Sequence, residues 1–84
     1  MDVTVRCYGG VRTALEARSI EFELSDGASV ATLLDRLGER YPRFARLRRS
    51  GRSVVAMRDR VHLDRDTTLD DGDVVSLSTS PTRD

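Results

Sequence analysis

The hydrophobic period of this chain changes from that of a strand to that of a helix and back, and that change limits what it can fold into. Residues 3–8 alternate strictly, with Val3, Val5 and Cys7 on one side and Thr4, Arg6 and Tyr8 on the other. Residues 19–24 alternate again, Ile20, Phe22 and Leu24 opposing Glu21 and Glu23. A period of two is that of a strand with one buried face. Then Val30, Leu33, Leu34 and Leu37 fall at i, i+3, i+4 and i+7, the stripe of an amphipathic helix. Ser29 stands where an N-cap belongs, and Pro42 disfavours helical geometry at Tyr41, so the helix should stop there.

Shorter signals complete the order. Gly9-Gly10 reads as a turn, and residues 11–17 as a connection holding at most a helical turn. Residues 43–49 contain a short helical turn covered on one side by Phe44 and Leu47. Residues 53–57, 60–63 and 74–78 read as strands, with a hairpin turn at Arg58-Asp59, an anchor at Leu69 and a sharp turn at residues 70–73. The order ββαβββ lets one helix lie across a mixed sheet of four or five strands and bury both apolar stripes. The expected fold is α+β of the ubiquitin-like β-grasp type. Residues 1–78 should form the domain and 79–84 a flexible tail.

Eighty-four residues with two Tyr, two Phe and no Trp give a core of Val, Leu and Ile too small for a deep pocket. Cys7 is the only cysteine and His62 the only histidine, which excludes an internal disulfide and a tetrahedral zinc site. Cys7 reads as a core residue and His62 as a surface one. With no nucleophile–base pair, metal cluster or phosphate loop in view, neither catalysis nor a cofactor is expected. No apolar run is long enough to span a bilayer, which makes the cytoplasm the default location.

All fourteen basic residues are arginine, so no side chain can form a Schiff base or accept an isopeptide bond. The net charge of zero conceals a basic middle: residues 40–60 carry +7, between ends of −3 and −4. Arg43, Arg46, Arg48, Arg49 and Arg52 form the candidate basic patch. Its plain reading is a solvated surface that pairs internally with the acidic ends. The functional alternative is polyanion binding through phosphates. Only Tyr41 and Phe44 interleave aromatics among these arginines, so an acidic protein suits the patch better than nucleic acid.

Three segments, VTVRCYGGVR, DGASVATLLDRLGERYP and LDDGDVVSL, give the chain a resemblance along nearly its whole length. It resembles the ubiquitin-like sulfur carriers, that is, the small subunit of molybdopterin synthase and the thiamine-biosynthesis sulfur carrier, and the small archaeal modifier proteins. The resemblance implies a partner protein, either an activating enzyme or a synthase-like subunit, met by the outer sheet face. On this chain that face would carry Thr4, Arg6, Tyr8, Val74 and Ser76, with Arg58 and Arg60 beside it. Val74 is apolar where alternation sends it outward, and Tyr and Arg are enriched at interface centres.

Those families end in Gly-Gly, whose carboxylate is adenylated in a channel too narrow for side chains. Counted from Asp73, Arg83 and Asp84 stand at the two glycine positions. The expectation is a family member acting by non-covalent binding; the alternative is a carrier or modifier activated at an atypical end.

Overall fold

The computed structural model describes residues 1–51 and 53–79. Five strands, β1 (Asp2–Cys7), β2 (Ser19–Glu23), β3 (Val54–Arg58), β4 (Val61–His62) and β5 (Val74–Thr79), form one sheet in the order β2-β1-β5-β3-β4. β1 and β5 run parallel at its centre, while the other pairs are antiparallel. The chain enters in a hairpin, crosses by helices and returns its last strand beside its first. This is the β-grasp topology, and the fold class is α+β.

Three helices lie on the sheet where the sequence reading expected one main helix: α1 (Gly9–Leu15), α2 (Val30–Arg40) and α3 (Pro42–Arg49). Gly9-Gly10 is therefore a helix start and not a simple turn. Tyr8 caps α1 in an extended conformation, and Val11 and Leu15, four residues apart, are buried. Two buried residues on seven are too few for a periodicity signal, so this helix leaves little mark on the sequence.

α2 begins as expected, with the Ser29 hydroxyl accepting from the Thr32 N–H at 3.3 Å. It ends at Tyr41, whose extended backbone (φ −123°, ψ 100°) is what a following proline requires. Pro42 then starts α3 at a position where its missing N–H costs nothing. The stop signal in the sequence is thus also a start signal. α3 is two turns long, driven inward by Phe44, which is fully buried.

The core joins Val3, Val5 and Cys7 of β1, Val75 and Leu77 of β5, and Ala56 of β3 to Val11, Leu15, Val30, Leu33, Leu37 and Phe44 of the helices. Leu34, which shares the expected α2 stripe, is only half-buried at the edge of this cluster. Burial therefore follows Val30, Leu33 and Leu37, a narrower stripe than the sequence suggested.

The LDDGD segment preceding β5 acts as a clasp. Leu69 is buried, and Gly72 turns the chain at φ +86°. The Gly72 N–H donates to the Asp2 carbonyl at 2.7 Å, the Asp2 N–H to Asp71 Oδ1 at 2.7 Å, and the Thr4 N–H to the Asp73 carbonyl at 2.9 Å. The Asp73 carboxylate accepts from the Asp70 N–H at 2.8 Å and from Arg58 at 2.5 Å. These bonds set the register in which β5 enters beside β1. Parallel strands have no hairpin to do so.

Candidate docking surface

Strand alternation settles what each side of the sheet carries. Because Val3, Val5, Cys7, Val75 and Leu77 face the helices, Thr4, Arg6, Val74 and Ser76 face the other way. Thr4 lies beside Val74 and Arg6 beside Ser76 in the parallel ladder. Tyr8 continues the alternation past the end of β1 and is held there by its N–H, which donates to the Leu77 carbonyl at 2.9 Å. Tyr8 and Val74 are 45% and 46% exposed, large for apolar bodies on a central strand pair.

The ladder adds two residues that the sequence reading missed. Met57 pairs with Ser76 and Val55 with Ser78, so both belong to this outer face, and both are half-buried. In the run Val54-Val55-Ala56-Met57 every residue is apolar, so alternation in the sequence cannot say which pair faces outward. The one available signal was that an apolar run without alternation covers both faces. Tyr8, Val55, Met57 and Val74 form an apolar field around Arg6 and Ser76. Such a composition, apolar and aromatic with arginine, is typical of the centre of a protein interface.

Arg58 and Arg60 do not join this field. Arg58 has the parity of Ala56, placing it on the helix side of the sheet, where it pairs with Asp73 across 2.5 Å. Arg60 lies in the β3–β4 turn, formed by Asp59 and Arg60 and not by Arg58-Asp59. Both turn residues have positive φ, 54° and 67°, the pattern of a two-residue type I′ hairpin. The short fourth strand accordingly starts at Val61.

The candidate basic patch divides in two. Arg43 pairs with Glu16 at the end of α1, and Arg48 with Asp35 of α2 at 3.0 Å. These two flank α3 and tie it to its neighbours. Arg46 and Arg49 project away from Phe44 and are exposed, without an ion pair among the described residues. Arg52, Arg83 and Asp84 lie outside the described residues, and strand β5 runs through Thr79, the first residue assigned to the tail.

Cys7 is buried, its thiol donating weakly to the Val5 carbonyl at 3.8 Å, and burial pushes its pKa up. His62 pairs with Met57 and so lies on the opposite face of the sheet. Among the described residues no group of His, Cys, Asp or Glu could hold a metal ion, and no helix is long and apolar enough to cross a membrane.

The same fold occurs in solved structures of small proteins. A putative molybdopterin converting factor, subunit 1, from Pyrococcus furiosus superposes with a TM-score of 0.76 at 22% identity, over 93% of this chain and 95% of that one. SAMP1 from Haloferax volcanii gives 0.81 at 13% identity over the full length of both. The Haloferax volcanii HVO 2177 protein gives 0.82 at 27% identity, covering 98% of this chain and 85% of its own. No curated protein sequence matches the chain. The ThiS family model matches residues 5–78, from the middle of β1 nearly to the end of β5, and the chain belongs to the ThiS family.

Proposed function

We propose that this protein is a β-grasp carrier or modifier of the ubiquitin-like kind that works by docking on another protein, with the outer face of its sheet as the contact. The observation that carries this reading is the apolar field of Tyr8, Val55, Met57 and Val74 around Arg6, on the face of the sheet turned away from the three described helices. Family membership supports it, since a carrier domain needs a recognition face and no catalytic group of its own. In this reading the contact is non-covalent, the partner is an adenylating enzyme or a synthase-like subunit, and the protein itself is not a catalyst.

Covalent activation of the chain end is the second reading. It is favoured by the way the last described residue is held. Thr79 is clasped between Val54 of β3 and the start of α1, where the Gly10 N–H donates to its hydroxyl at 3.4 Å. β5 is therefore anchored through Thr79, as a strand that precedes a presented end requires.

One experiment separates the two. The protein is incubated with the adenylating enzyme of the same organism and MgATP, followed by intact-mass spectrometry and a binding titration. Saturable binding without a mass change, lost in Tyr8→Ala plus Val74→Asp, is expected from non-covalent docking. An acyl-adenylate mass would establish the second reading. Undiminished binding by the variant would refute the assigned face.

A further inference from the structure

The sheet has two edges, and β4, at one of them, is only two residues long. The other edge is β2, which is bonded to β1 on one side and to no further strand among the described residues. The register shows which of its backbone groups are left over. The Met1 amine donates to the Leu24 carbonyl at 2.7 Å, the Leu24 N–H returns a bond of 2.8 Å, and the Cys7 N–H donates to the Arg18 carbonyl at 2.8 Å. Bonded and unbonded pairs alternate in an antiparallel ladder, so Phe22 bonds to Val3 and Ile20 to Val5. The N–H and C=O groups of Ser19, Glu21 and Glu23 therefore point away from β1, open to a further strand.

The same strand leaves its helix side unfinished. Val3 and Val5 are fully buried, whereas Phe22 and Ile20, directly across from them, stay half-exposed. Beside Phe22 a shallow hollow opens between Glu21, Phe22 and Glu23 of β2 and Arg36, Glu39 and Arg40 of α2. None of these five charged side chains has an ion pair among the described residues, unlike Arg43, Arg48 and Arg58. On the outer side Glu23 lies directly across from Asp2, and like charges so placed are destabilising. A cation beside them removes that cost.

We infer that β2 is a strand-addition site, which takes an extended segment of another protein whose residues alternate basic and apolar. The main chain of the segment bonds to Ser19, Glu21 and Glu23. Its apolar side chains cover Ile20 and Phe22 on the helix side, where Arg36 and Arg40 turn basic ones away. Its basic side chains stand on the outer side against Glu21, Glu23 and Asp2. The same charges disfavour a second copy of this chain, because centred antiparallel pairing of two β2 strands sets Glu21 against its own counterpart. The added strand extends the sheet beyond β1, away from β5 and β3, so this site is separate from the outer-face docking proposed above.

The test titrates the isotope-labelled protein with the capped peptide acetyl-Thr-Lys-Val-Arg-Val-Lys-Thr-amide and follows backbone amide resonances. Binding with a Kd below about 1 mM, with the largest shifts within residues 18–24, is expected. A peptide with glutamate at the three basic positions should bind more weakly by about tenfold or more. One of the original composition with its basic residues contiguous should lose about fivefold or more, since alternation is what a strand edge reads. Glu21→Lys plus Glu23→Lys should reverse the preference in favour of the acidic peptide, and circular dichroism melts check that the variant folds. Tyr8→Ala plus Val74→Asp should change Kd by less than about twofold. Equal binding of the alternating and contiguous peptides would reduce the site to unpatterned charge attraction and overturn strand addition. Absence of shifts within residues 18–24 at about 1 mM peptide, or shifts centred on Tyr8 and Val74, would refute the site while the outer-face reading stands. A natural protein that sediments as a dimer, with residues 18–24 shifting on dilution, would replace the foreign strand with a second copy.

Discussion

Replacing Asp73 by Ala removes the side chain that closes the loop before β5 on itself and ties it to β3. Its carboxylate accepts from the Asp70 N–H at 2.8 Å and from Arg58 at 2.5 Å, with the two charged side chains 19% and 26% exposed. A charge-assisted bond in such a half-desolvated place contributes about 1.5–3 kcal/mol and a backbone donor about 1 kcal/mol, but partial hydration of the freed Arg58 offsets part of the sum. The expected loss is about 2–3 kcal/mol. Stability for a domain this size lies at roughly 4–12 kcal/mol, so the loss is a substantial part of the whole. It corresponds to a fall in Tm of about 10–20 °C. Urea titrations at fixed pH would read it as a lower midpoint at unchanged m-value. Arg58→Ala and the double variant complete a cycle, and the coupling should exceed about 1 kcal/mol. A loss below about 0.5 kcal/mol for Asp73→Ala, or additivity in the double variant, would refute the clasp as described.

Leu33→Ala, at a fully buried position, should cost about 2–5 kcal/mol, whereas Leu34→Ala at the half-buried edge should cost well under half of that; equal shifts in denaturation midpoint would contradict the α2 face. Arg60→Gly should stabilise the protein by about 0.5–1 kcal/mol, because glycine adopts the left-handed turn position without the penalty that Cβ brings. Cys7 has its folded pKa raised by burial, so the stability tied to its protonated form is complete below the unfolded thiol pKa of about 8.5. Above that pH, stability should decline by up to about 1.4 kcal/mol per pH unit until the folded pKa is reached. Cys7→Ala should remove that part of the slope in alkaline denaturation titrations.

Much of the fold was legible because its signals are local. Alternation in β1 and β2, the α2 stripe, the Ser29 cap and the proline stop each depend on residues within one turn or one strand. The outward place of Val74 and the buried place of Cys7 follow from the same period of two. α1 escaped because a seven-residue helix that buries only Val11 and Leu15 carries less pattern than a helix of three turns.

Tertiary structure decided everything that depends on partners distant in sequence. Whether an arginine is a staple or an open charge is settled by Glu16 for Arg43, Asp35 for Arg48 and Asp73 for Arg58, and nothing near those arginines announces it. Gly9-Gly10 has the local composition of a turn, and its place against Thr79, sixty-nine positions after Gly10, is fixed by packing alone. Met57 and Val55 joined the docking face only through the register with Ser76 and Ser78. Periodicity and caps are short-range consequences of backbone geometry and can be read from neighbouring residues. Long-range pairs form only after the hydrophobic faces have brought separate elements together, so their chemistry becomes visible once the packing is known.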